Sequence, residues 1–119
     1  MNIQIWNRLL LVYDSVFMKK VLFIGGSWSD IHLIEQLKSR GVDLTLLNNL
    51  PIQSINQLGD SFVRIDYRDI DKVYQYARNN HFDHIIPGSN ESAYITASYT
   101  SEKLNISGLD SFENAKLIH

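Results

Sequence analysis

The chain contains no cysteine. That excludes a disulfide framework, a thiolate nucleophile and a thiolate-bound metal, and it suits a reducing compartment, so a cytoplasmic location is expected. Two prolines and six glycines are all that punctuate 119 residues. With no low-complexity tract or Ser/Gly-rich linker to divide it, a chain of this length reads as one domain with one core. A one-sided charge is also missing: 11 Lys and Arg stand against 13 Asp and Glu, for a net charge of −2. Neither sign forms a block of the kind that tracks a phosphate backbone or an anionic bilayer, so nucleic acid and membrane surfaces are not expected partners. No apolar run approaches the roughly 18 residues of a membrane span. The N-terminal run Leu9-Leu10-Leu11-Val12 is bounded by Asn7, Arg8, Asp14 and Ser15.

Residues 1–18 stand apart. Met1 to Phe17 precede an internal Met18 followed by Lys19-Lys20 and a strong strand signal, the arrangement of a second start. Asp14-Ser15-Val16-Phe17 lacks the small residues of a signal-peptidase site. The stretch is read either as upstream sequence or as an extra amphipathic helix, since Ile5, Leu9, Val12 and Val16 share one helical face.

From residue 19 onward strands and helices alternate. Val21-Leu22-Phe23-Ile24 is a continuous apolar run closed by Gly25-Gly26, the pattern of a strand buried on both faces. Ile31, Leu33, Ile34 and Leu37 line one side of a helix that ends at Gly41, where a left-handed cap is wanted. Leu44-Thr45-Leu46-Leu47 is a second strand, and its return to a parallel neighbour across one helix is a βαβ unit. Residues 52–60 are ambiguous between a short helix and a loop. Phe62-Val63-Arg64-Ile65 is a third strand, and Asp69 caps a helix carrying Ile70, Val73, Tyr74 and Ala77 inward. His84-Ile85-Ile86-Pro87 is the fourth strand, followed by Gly88-Ser89-Asn90 and a helix with Ala93, Ala97 and Leu104 inward. Asn105 to Gly108 is an edge strand or a link, and Asp110-Ser111 caps a last helix from about Phe112. The expected fold is α/β: a Rossmann-like, doubly wound, mainly parallel sheet of four to five strands with helices on both faces; were the strand order 3-2-1-4, the ligand crevice would lie between the first and fourth strands.

In an open parallel sheet the ligand crevice lies beyond the carboxyl ends of the strands, where successive crossovers diverge to opposite faces. Two loops are expected there, Gly25-Gly26-Ser27-Trp28 with Ser29, and Gly88-Ser89-Asn90-Glu91 behind Pro87. Both are short of bulky side chains at their start and both run into a helix N-terminus, whose free amides favour an anion. Small residues are also what any such turn needs, so a structural and a ligand-binding reading of Gly25 and Gly26 both stand. Trp28 either packs or covers a flat ligand, and Glu91 is either a solvated first-turn charge or a contact for a substrate amine. Ser89 or Asn90 caps the following helix. Starting at Gly25, a dinucleotide fingerprint G-x-G-x-x-G would need glycine where Ser27 and Asp30 stand, and Asn48-Asn49 end the second strand without a ribose-binding carboxylate. No phosphate-binding G-x-x-x-x-G-K-[ST] loop and no G-x-S-x-G nucleophile elbow occurs. No residue is therefore assigned a catalytic role. His81 and His84 straddle a turn and a strand start, so no metal site is assigned either.

Four segments in order, Lys20-Val21-Leu22-Phe23-Ile24-Gly25-Gly26, the Asp66-to-Asp69 link, Ile85-Ile86-Pro87-Gly88-Ser89-Asn90-Glu91 and Ser111-Phe112-Glu113-Asn114-Ala115-Lys116, resemble the N-terminal (pre-ATP-grasp) domain of ATP-grasp ligases. That group includes carbamoyl-phosphate synthase large subunits and biotin carboxylases. The resemblance covers residues 19–119. It implies that 19–110 form the pre-ATP-grasp domain and that 111–119 begin a linker helix toward ATP-binding lobes. It implies further that Gly25, Gly26, Ser27, Trp28, Gly88, Ser89, Asn90 and Glu91 line the carboxylate or acceptor side of a small-molecule substrate site. ATP and magnesium belong to the parent enzyme, on lobes this sequence lacks or on a separate partner. On this reading the chain is a non-catalytic fragment with no cofactor of its own. Apolar surface left by missing lobes makes a homodimer a further expectation. An independent nucleotide- or NAD-binding module, and an interaction domain that docks on a separate ATP-grasp partner, are the competing readings.

Overall fold

Four apolar runs, at 21–24, 44–47, 62–63 and 85–86, each lie in a strand of one sheet, and the first two are buried throughout. The computed structural model describes residues 19–109 and 112–118. The readings of 1–18 as a leader or extra helix and of Asp110-Ser111 as a cap lie outside the described residues. Strands β1 (Lys20–Ile24), β2 (Asp43–Asn48), β3 (Ser61–Arg64) and β4 (His84–Pro87) alternate with helices α1 (Ile31–Ser39), α2 (Gln53–Asn56) and α3 (Ile70–Asn80). Helices α4 (Glu91–Lys103) and α5 (Phe112–Ile118) follow. All pairings are parallel, as the sequence predicts, and the order is β3-β2-β1-β4. Phe23 in β1 stands in register with Leu46 of β2 and Ile86 of β4.

The alternation of side chains along β1 divides the core in two. Val21 and Phe23 pack with Ile34, Leu44, Leu46 and Ile55 beneath α1 and α2. Leu22 and Ile24 pack with Leu47, Val73, Ala77, Ile85, Ala93 and Ala97 beneath α3 and α4. Removing a side chain such as Phe23 or Leu22 from water contributes on the order of 1.5–3 kcal/mol, which is why the central strand is apolar at every position after Lys20. The helices that follow β1 and β4 thus pack on opposite faces, which makes the carboxyl end between these two strands the switch point at which such sheets take ligands.

One local expectation changed and two open ones were decided. Leu33 is 41% exposed rather than inward, because it lies about 100° round the α1 axis from the buried Ile34, on the flank of a stripe centred on Ile34. The ambiguous stretch 52–60 contains the one-turn helix α2, seated by Ile55, and a turn at Gly59-Asp60. Residues 105–109 form a link and not a strand: Ile106 donates its amide to the Ser101 carbonyl, and Ile106 and Leu109 pack on the core.

Helix α3 ends with His81 in the left-handed region, at φ 55. Its amide donates to the Ala77 carbonyl at 3.1 Å, the bond of an αL cap, yet the position carries a Cβ that this conformation disfavours. His81→Gly is expected to raise stability by about 0.5–1 kcal/mol, seen as a melting temperature a few degrees higher. An unchanged or lower melting temperature would refute the strain.

Candidate functional site

The loop after β1 begins with Gly25, at φ 75, a backbone state that glycine alone adopts without strain. Its amide donates to the Leu47 carbonyl at 2.8 Å, so the chain turns off the sheet while still held to β2. Gly88 after β4 donates to the Ile24 carbonyl at 2.7 Å and brings the second loop directly against the first. A Cβ on Gly88 would lie 2.4 Å from the Gly25 carbonyl oxygen. The two loops expected to line the crevice therefore touch through their backbones.

Side chains fasten this contact. Asn90, not Ser89, caps α4 by accepting from the Ala93 amide at 2.7 Å, and its Nδ2 donates to the Gly25 carbonyl at 3.3 Å. Asn48, buried at the end of β2, donates Nδ2 to the Gly26 carbonyl at 2.7 Å. Asn49 Oδ1 accepts from the Tyr67 amide at 2.8 Å, and the Thr96 hydroxyl of α4 donates to the Tyr67 carbonyl. The loops after β1 and β2, the link after β3 and the start of α4 thus share one hydrogen-bonded platform.

At its centre is a residue that the sequence reading passed over. Asp30 closes a 3₁₀ turn, Trp28–Asp30, and is 3% exposed. Oδ2 accepts from the Ser27 amide at 2.9 Å, the Ser27 hydroxyl at 3.1 Å and the Ser89 amide at 3.2 Å. Oδ1 accepts from the Ser89 amide at 3.1 Å and from the Ser89 hydroxyl in a short bond. Burial by itself would raise the carboxyl's pKa. The Ser89 hydroxyl, the Ser27 and Ser89 amides and the Ser27 hydroxyl outweigh it and hold the group ionised below its ordinary 3.8. Asp30 stands directly before α1, the position of an N-cap, but makes no capping bond with its side chain. Its carboxylate instead reaches back to Ser27, three residues earlier, and across to Ser89, 59 positions away. Half of this arrangement had a local signal, the S-x-x-D spacing by which an acid three residues after a serine accepts from that serine's amide; the Ser89 half had none.

The remaining candidates lie on the rim. Trp28 is 66% exposed and so does not pack within this domain, while Gly26 is buried, close to Ile34 and Phe23. Ser29 and Glu91 are exposed, and the Ser27 and Ser29 hydroxyls share a 2.9 Å hydrogen bond. His81 caps α3 and His84 lies on β4, and among the described residues no three His, Cys, Asp or Glu side chains gather as metal ligands. A depression of about 240 Å³, lined by Lys19, Val21, Arg40, Val42, His84 and Ile86, sits at the opposite, amino-terminal end of β1 and β4. It faces none of the loops of the crevice. Among the described residues no helix is long and apolar enough to cross a membrane.

No family model and no curated protein matches the chain by sequence. Solved structures do match it in three dimensions. Phosphoribosylglycinamide synthetase from Anaerococcus prevotii superposes with a TM-score of 0.76 at 19% identity, over 83% of this chain and 25% of its own. L-amino acid ligase from Bacillus licheniformis superposes with a TM-score of 0.66 at 20% identity, over 82% of this chain and 26% of its own. The fold is one found within two ligases. The chain spans about a quarter of the length of each, and at this identity the likeness is one of fold.

Proposed function

We propose that this chain is the substrate-side N-terminal domain of an ATP-grasp ligase, an enzyme that uses ATP to join a carboxylate to an amine or similar nucleophile. One observation carries the reading: the loops after β1 and β4 meet backbone to backbone at the carboxyl end of a parallel sheet, in a fold shared with two ATP-grasp ligases. Gly25, Gly26, Ser27 and Trp28 on one loop, with Gly88, Ser89, Asn90 and Glu91 on the other, form half of a substrate site. The other half, with ATP and magnesium, belongs to lobes outside these 119 residues or on a separate partner. The narrower likeness to carbamoyl-phosphate synthase large subunits and biotin carboxylases rests on the sequence segments, and the two structural neighbours named here are other kinds of ligase. A dinucleotide-binding module is the weaker reading, because the Asp30 carboxylate stands where such loops need an unobstructed glycine.

The domain by itself is expected not to turn over ATP in the presence of magnesium, as measured by phosphate release from the purified chain. Turnover at an enzyme-like rate would overturn the division of labour. Saturable NAD binding by calorimetry, weakened by Gly26→Val, would favour the dinucleotide reading instead.

A further inference from the structure

The amides of Ser27 and Ser89 come from two loops, each a residue or two short of a helical start, and they converge on a single point. With the two serine hydroxyls they make four donors, the set that such loops offer to a phosphate or carboxylate ligand. In this chain the point is taken by a carboxylate of its own, that of Asp30, which is almost wholly buried. No Lys or Arg occurs in residues 25–30 or 87–92, and Glu91 adds a second negative charge at the rim.

We propose that Asp30 is a specificity-determining positioning residue: its carboxylate occupies the anion cradle shared by the two loops, so this half-site refuses phosphate and carboxylate groups and receives the uncharged or amine-bearing part of a ligand. Two anions cannot share one set of donors, since their repulsion grows as water is excluded. The carboxylate also cross-links the loops, so the surface offered to a ligand, Trp28, Asn90 and Glu91, is set before binding. The inference deepens the proposed function and rests on the reading of these loops as a substrate side. Its test is independent of ATP chemistry, so the two can fail separately.

The test is a titration of the ¹⁵N-labelled chain with inorganic phosphate, against chloride at equal ionic strength, following the Ser27 and Ser89 amides. The wild-type chain is expected to show no saturable shift at these amides. Asp30→Ala, with the cradle vacated, is expected to gain a saturable shift at both, at an apparent affinity at least tenfold above any seen in wild type. A merely structural role for Asp30 would produce no such gain. Saturable phosphate binding at these amides in wild type overturns the proposal, as does a folded Asp30→Ala that gains none. If Asp30→Ala is unfolded in chloride, phosphate is expected to restore its folded spectrum beyond any effect on the wild-type melting temperature. Failure to restore it also overturns the proposal.

Discussion

Gly88→Ala is expected to cost the domain at least about 3 kcal/mol, a large share of the 5–15 kcal/mol that holds a domain of this size folded. The reason is space and not backbone conformation, because Gly88 is not among the residues with positive φ. A Cβ there would lie 2.4 Å from the Gly25 carbonyl oxygen, 2.9 Å from its carbon and 3.0 Å from Asp30 Oδ2. Two of these are backbone atoms of a loop that cannot retreat cheaply. Gly25 is tied to Leu47 at 2.8 Å and Gly88 to Ile24 at 2.7 Å, so parting the loops breaks the ends of two strand pairings and draws Ser89 away from Asp30. Gly26→Ala is the matched control. Its Cβ would meet the Ile34 Cδ1 at 3.4 Å, the end of a flexible side chain, and less than about 1 kcal/mol should be lost. Urea midpoints of the two variants distinguish the cases. Equal midpoints would mean that the loops are not pressed together.

The second large effect is expected at Asp30. Asp30→Asn keeps the volume but turns an amide toward donors that were bonded to a carboxylate, and should cost about 3 kcal/mol near neutral pH. The pH dependence follows from the lowered pKa. A carboxyl that ionises more readily in the folded chain than at its ordinary 3.8 contributes stability fully present above that value, and loses it as pH falls through the lower folded value. The wild type is therefore expected to hold a constant margin over Asp30→Asn from about pH 7 to pH 5, and to lose it progressively below pH 3.8. Asp60 and Asp66 are lowered as well, Asp60 first by the Leu44 amide and then by Lys38, and Asp66 by Arg68. Both are present in both proteins and cancel in the difference. Urea unfolding at pH 7, 5 and 3 checks this, and a margin that stays constant at pH 3 would contradict the ionised, bonded carboxylate.

Much of the frame was legible because it depends on local pattern. A four-residue apolar run that stops at two glycines has few outlets other than a buried strand, and β1 is that strand. Gly41 and Asp69 mark the end of α1 and the start of α3 for reasons that lie within one turn of backbone: a positive φ of 76 in one case, a carboxylate accepting the Lys72 amide at 3.2 Å in the other. The choice of Asn90 over Ser89 as the cap of α4 was less accessible. Both types cap well, and what removes Ser89 from competition is a carboxylate 59 positions earlier in the chain.

By itself the sequence determined the kind of the four strands and of the longer helices, their parallel alternation and the two short loops, since periodicity, caps and glycines act over a few residues. The tertiary structure alone decided that Asn48 holds the Gly26 carbonyl, that Leu33 faces solvent and that Asp30 lies between Ser27 and Ser89. The first depends on β2 lying beside β1, the second on which side of α1 faces the sheet, and the Ser89 contact on β4 lying beside β1, none of which exists until the strands have paired.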